Sequence, residues 1–227
     1  MKQFKLFLLT AFITISAFGA LIYSSCRKDK CKGVTCQNGG TCNDGSCVCP
    51  SGYSGNFCEN SSITYTNDTY TPINITVGGS AAVINAGTSV SFIGAAGTAV
   101  NVTAYTSGTT STGSQVGDLI SWSFTDNFPT DGDALTEPLD VSAAYFYLYM
   151  KNTNASESIN AIYVNYGSSQ QTVDNVTVPN DGNVYGIGYY LAYSNTEVYA
   201  TGSASSYWTW YPAIPNVANA TVTLTAN

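Results

Sequence analysis

The chain has 227 residues, of which 44% are apolar, 13% aromatic and only 9% charged, and it contains no histidine. There is room for one ordinary domain plus a small module, and the aromatic and β-branched content is too high for a disordered chain. The net charge of −7 is uneven: six of the seven basic residues lie at or before Lys32, and from Asn60 onward eleven carboxylates stand against the single Lys151, which excludes nucleic acid as a partner and disfavours contact of this region with an anionic membrane surface.

Met1–Lys5 is a short basic segment, and an uncharged, mostly apolar run follows from Leu6 to Ser25. That order is the order of a secretory signal. The run ends in Leu21-Ile-Tyr-Ser-Ser-Cys26, which resembles the lipobox of bacterial lipoproteins, with Tyr23 departing from the usual aliphatic residue. The resemblance implies cleavage before Cys26 and acylation of its thiol, with residues 1–25 removed and 26–30 left as a lipid-anchored tether. An uncleaved membrane helix and ordinary cleavage after Gly19 compete with this reading. Seven cysteines leave one unpaired, and an odd cysteine in an exported chain needs a role. Cys26 is the spare one and sits where a lipid would go. An exported, lipid-anchored protein is expected, at the outer membrane and surface-exposed.

The other six cysteines, Cys31, Cys36, Cys42, Cys47, Cys49 and Cys58, fall within 28 residues. So short a stretch cannot bury enough apolar surface to fold unaided, which points to a disulfide scaffold. The Cys-x-Cys beside wider spacings is a poor tetrahedral zinc set. Six cysteines allow fifteen connectivities. Cys36-Gln-Asn-Gly-Gly-Thr-Cys42 and Cys47-Val-Cys49-Pro-Ser-Gly-Tyr-Ser-Gly-Asn-Phe-Cys58 resemble the EGF-like family over residues 31–58. The resemblance implies the pairs Cys31–Cys42, Cys36–Cys47 and Cys49–Cys58. Gly39, Gly40, Gly52 and Gly55 read as left-handed turn positions. Calcium-binding members carry several oxygen ligands just before the first cysteine, and here only Asp29 is acidic, so the module is expected to be metal-free. A stiff spacer is its expected role, a protein-binding module the alternative.

A polar hinge, residues 59–62, precedes the rest of the chain. From Ile63 to Asn227, short β-branched and aromatic runs alternate with Gly, Asn, Asp and Pro, which predicts an all-β, antiparallel sandwich of jelly-roll or Ig-like type. Strands are expected near Ile63–Tyr70, Ile73–Val77, Ser89–Ile93, Ala99–Tyr105, Leu119–Phe124, Ala144–Met150, Ile159–Tyr166, Asn175–Val178, Val184–Tyr193, Val198–Thr201, Tyr207–Tyr211 and Ala220–Thr225. A Ser/Thr/Gly segment at 107–115 would mark the boundary if there are two small sandwiches, and no repeat at a fixed period is evident.

Alternation places Tyr145, Tyr147 and Tyr149 on one face of a strand, opposite Phe146, Leu148 and Met150. It likewise places Trp208 and Trp210 opposite Tyr207 and Tyr211. Aromatic strips of this kind suit sugar rings and protein hot spots, with core packing as the plainer reading. Asp126, Asp131, Asp133, Glu137 and Asp140 share a 15-residue stretch with Asn127 and Gly132. An oxygen-rich loop can hold calcium, although the spacing is not that of an EF-hand; a solvated acidic loop is the alternative, and no other cofactor is expected.

Without histidine, and with the cysteines committed, neither Ser-His nor Cys-His chemistry nor a histidine-built zinc site is available. Only a carboxylate pair, as in glycoside hydrolysis, remains. The expectation is therefore a surface binding or adhesive protein for a glycan or protein ligand, not an enzyme. A structural subunit of a surface assembly is the alternative, motivated by the alternating terminal strand Ala220–Thr225, which has the pattern of a strand donated to a neighbour.

Overall fold

The computed structural model describes residues 29–107, 117–166, 169–173 and 176–227. Cys26, the apolar run before it and most of the 107–115 segment lie outside the described residues. The chain divides into two compact units, Met1–Glu59 and Asn60–Asn227.

In the first unit, β1 (Thr41–Asn43) and β2 (Ser46–Val48) form an antiparallel hairpin. Asp44 and Gly45 both have positive φ, 52° and 93°, the two-residue turn whose twist matches a hairpin. The disulfides are Cys31–Cys42, Cys36–Cys47 and Cys49–Cys58, the pairing implied by the EGF-like resemblance. Gly40 has a different role from the expected turn: its φ is not positive, and an added Cβ would lie 2.7 Å from Cys58 Sγ.

The second unit is all-β and contains the same seven-strand arrangement twice. The first set comprises β3 (Asn60–Asn67), β4 (Ile73–Val77), β5 (Ser80–Ile84), β6 (Ser89–Ala95), β7 (Ala99–Thr106), β8 (Ser121–Asn127) and β9 (Leu135–Leu139). The second comprises β10 (Tyr145–Asn152), β11 (Ile159–Tyr166), β12 (Ser169–Val173), β13 (Val184–Leu191), β14 (Thr196–Gly202), β15 (Tyr207–Trp210) and β16 (Ala220–Ala226). The sheets of the first set run β6-β3-β9 and β5-β4-β7-β8; those of the second run β13-β10-β16 and β12-β11-β14-β15. Strand for strand the order is identical. In each set the first strand pairs in parallel with the last, and every other pairing is antiparallel.

The division between sandwiches does not fall at 107–115, because β7 and β8 on either side of that segment pair in one sheet. The chain crosses from one sandwich to the other between Leu139 and Tyr145. Ile63, Tyr65, Ile73, Ile75, Val102 and Ala104 fill the first core. Phe146, Leu148, Met150, Ile162, Val164 and Val198 fill the second. In both, inward residues alternate with outward ones, as a half-buried strand requires.

One buried asparagine repeats with the strands. Asn67 ends β3 and is fully buried; its Nδ2 donates to the carbonyls of Thr71 and Ile84, each at 2.8 Å, and its Oδ1 accepts the Thr69 N–H at 2.9 Å. Asn152 ends β10, donates to the carbonyls of Glu157 (2.9 Å) and Val178 (3.3 Å), and accepts the Asn154 N–H (3.0 Å). Each side chain satisfies backbone groups where the chain turns from one sheet to the other, groups that would otherwise be buried without partners.

Some expected elements differ. β5, β9 and β12 lie outside the expected strands, and of the strand expected at 175–178, Asn175 is outside the described residues and Val178 makes a single bridge to Ile159. The terminal strand β16 pairs with β10 of its own chain.

Candidate functional site

The tyrosine face of β10 is a covered layer and not an outer strip. Tyr147 is 6% exposed and packs with Ile120, Val141 and Tyr189, with Trp122, Tyr145 and Tyr149 alongside. Tyr70, from the β3–β4 connection of the first sandwich, lies 5.1 Å from Tyr147 and 5.9 Å from Tyr149 between ring centroids. Its backbone N–H donates to Tyr189 Oη at 2.7 Å. Burial pushes the phenols of Tyr147 and Tyr189 up to about 12. These rings join the two sandwiches, so Tyr147 is not part of an open binding strip, and Tyr145 and Tyr149 beside it are only partly exposed.

Trp208 and Trp210 turn inward and are half-buried against the second core. Their indole Nε1–H groups donate to the carbonyls of Asn227 (3.1 Å) and Thr225 (3.2 Å). They tie edge strand β15 to edge strand β16 of the opposite sheet. Their role is to close one side of the sandwich, which corrects their assignment as a ligand strip.

The open aromatic surface is the opposite face of β15 and its neighbours. Tyr163 of β11 and Tyr199 of β14 are cross-strand partners, stacked at 4.6 Å with 7° between planes. Tyr199 stacks in turn on Tyr207 of β15 at 5.6 Å and 13°. Near-parallel rings at the spacing of adjacent strands must lie face against face. The row therefore turns ring edges outward and leaves the outer face of Tyr207, 66% exposed, at the sheet edge. Tyr211, 76% exposed, donates to Glu197 Oε1 at 2.8 Å, and Asn165 Nδ2 donates to Glu197 Oε2 at 2.9 Å. The Asn165 bond and then the Tyr211 bond hold the Glu197 carboxyl below its ordinary range, so the face carries a fixed negative charge. Partial burial, then the neighbouring Tyr207 and Tyr163, raise the Tyr199 phenol.

The first sandwich supplies an internal control. Thr76 lies between buried Ile75 and Val77, as Tyr163 lies between Ile162 and Val164. Thr103 lies between Val102 and Ala104, as Tyr199 lies between Val198 and Ala200. Thr76 pairs with Thr103 and Thr103 with Ser123. The same outward row is thus Thr-Thr-Ser in one sandwich and Tyr163, Tyr199 and Thr209 in the other, so the fold itself does not require the two tyrosines.

The acidic stretch is not one continuous loop: Asp126 and Glu137 belong to strands, while Asp131, Asp133 and Asp140 lie between or beyond them. Asp126 belongs to β8 and accepts the Tyr65 hydroxyl at 3.0 Å; Glu137 belongs to β9 in the other sheet. Asp131 accepts the N–H of Asp133 at 3.2 Å in the turn between them. Among the described residues no three His, Cys, Asp or Glu side chains come together to hold a metal.

Residues 26–58 match the model of the EGF-like domain family. With the three disulfides, the N-terminal module is an EGF-like domain, a disulfide-bonded unit suited to an exported chain. No curated protein matches the chain.

Proposed function

We propose that the protein is a lipid-anchored, outer-membrane surface protein that binds a glycan or protein ligand through the tyrosine row Tyr163–Tyr199–Tyr207 and the adjoining Tyr211–Glu197–Asn165 cluster. Cys26 is the acylation site in this reading, and the EGF-like domain is the spacer between the anchor and the β-domain. The protein binds and does not catalyse. The observation that carries the reading is the contrast between duplicates: stacked, partly exposed Tyr163 and Tyr199 stand where the sister sandwich has Thr76 and Thr103, and exposed Tyr207 stands where it has Ser121. Exposed aromatic side chains bury large area at low entropic cost when a ligand covers them, and no fold requirement explains these.

Cells displaying the full-length protein should adhere to at least one member of a panel of glycan- and protein-coated surfaces. Cells displaying the Tyr163→Thr/Tyr199→Thr variant should not, at equal surface expression. Equal adhesion by both would overturn the assignment of the face. Cys26→Ser should move the protein out of the membrane fraction, and a mature chain beginning at Ala20 would contradict the anchor.

A further inference from the structure

A second surface feature exists only because the sandwiches are joined. Where β8 of the first meets the crossing segment and the start of β10, a crevice of about 350 Å³ is lined by Leu119, Ser121, Trp122, Asp140, Ser142 and Tyr145. That volume falls at the small end of ligand sites, and junctions between domains are where such sites concentrate. We propose that this crevice binds one neutral sugar ring, independently of the tyrosine row.

The lining has two kinds of group. Trp122 and Tyr145 are half-buried, pack against the junction cluster and line the crevice, and aromatic rings in such a wall can stack against the C–H face of a pyranose. The polar groups are uncommitted. Asp140 is exposed and makes no hydrogen bond or ion pair among the described residues. Among the described residues the Ser142 hydroxyl accepts only the Ala144 N–H, at 3.4 Å, and exposed Ser121 makes no side-chain hydrogen bond. A carboxylate accepts two hydroxyls of a diol, and serine hydroxyls both donate and accept.

Charge and hydrogen-bonding capacity decide between ligand classes. Lys151 is the single cation beyond Asn60, so a sulfated or carboxylated ligand would meet Asp140 with no compensating charge. An alkylammonium would satisfy Asp140 and the rings but offers no acceptor to the serine hydroxyls. A polyhydroxylated neutral ring offers both donors and acceptors. The walls are preformed, because Tyr145 shares β10 with Tyr147, which is locked between the sandwiches, and a preformed site loses less freedom on binding.

The test uses the full-length protein in detergent, with glucose, galactose, mannose, N-acetylglucosamine and choline as probes, followed by saturation-transfer NMR and tryptophan fluorescence. At least one neutral sugar should bind. Asp140→Asn should weaken it about tenfold or more, the loss expected when a charged acceptor is removed. Tyr199→Thr should leave it unchanged, and Trp122→Phe should remove the fluorescence response while the melting temperature stays close to wild type. Absence of binding by all four sugars overturns the proposal. So does binding insensitive to both Asp140→Asn and Ser142→Ala, and so does a preference for choline.

Discussion

In the first sandwich the outward row of the four-stranded sheet is Thr76, Thr103 and Ser123; in the second it is Tyr163, Tyr199 and Thr209, extended diagonally by Tyr207. Behind those rows the two are alike: the same strand order, the same parallel pairing of first and last strands, and one buried asparagine at the end of the first strand. The inward positions must exclude water and leave no polar group without a partner, so they are held to one chemistry. The outward positions are not, and the two sandwiches have used that freedom differently. The difference separates what the fold needs from what it can present to a ligand.

The largest effect should come from the layer that joins the two. Tyr147→Ala should cost about 3–5 kcal/mol, the range for large-to-small aromatic changes in a core, read as a lower denaturant midpoint. A cost below about 1 kcal/mol would mean that the sandwiches are not held by this cluster.

Next come the paired asparagines. Asn67→Ala and Asn152→Ala should each cost about 3 kcal/mol, since several buried backbone groups lose partners worth about 1–3 kcal/mol apiece. Equal costs support a common corner in both sandwiches, and a large cost at only one would break the equivalence. Trp210→Phe keeps the packing but removes the indole donor to the Thr225 carbonyl, so about 1 kcal/mol is expected, with no counterpart in the first sandwich.

Acid should distinguish the sandwiches more finely. The asparagine corner bonds to the Thr71 carbonyl in one and to the Glu157 carbonyl in the other. The Glu157 side chain accepts from Ser206 and from the Ala204 N–H, which lowers its pKa from the ordinary 4.5. A carboxyl depressed in the folded state stabilises fully above its unfolded value, and that contribution disappears as pH falls through the lower folded value. Hydrogen exchange between pH 7 and the acid side of 4.5 should therefore show the Glu157 corner loosening before the Thr71 corner. Glu157→Gln should abolish that difference; its persistence would remove Glu157 as the cause.

Much of this was legible in the residues themselves. The EGF-like pairing is what the family resemblance of residues 31–58 implies, since spacing alone leaves fifteen connectivities, and the division of β10 into two faces follows from alternation. The missed strands are edge strands with weak signals. β5 is Ser-Ala-Ala-Val-Ile, mostly small residues. β9 carries Glu137 and Pro138, and proline is tolerated there because an edge strand need not donate on both sides; read locally, it was part of an acidic loop. Alternation assigned Tyr147 and Trp208 to faces, but only the tertiary arrangement shows that Tyr70 covers the first and that β16 receives the indole of Trp210. Tyr163 and Tyr199 lie 36 positions apart, and their stacking depends on a cross-strand register that no single strand encodes. The duplication is hidden for a related reason: inward apolar alternation is common to all such strands, and the connections differ in length.

The central claim is that the second sandwich's tyrosine row serves binding and not stability. It is tested most directly by the Tyr163→Thr/Tyr199→Thr variant of the full-length protein, with melting temperature and ligand affinity measured on the same sample. Cross-strand aromatic pairs contribute about 0.2–1 kcal/mol, so the melting temperature should fall by only a few degrees while ligand binding is lost. A collapse of the melting temperature, or an unchanged affinity, would contradict the account.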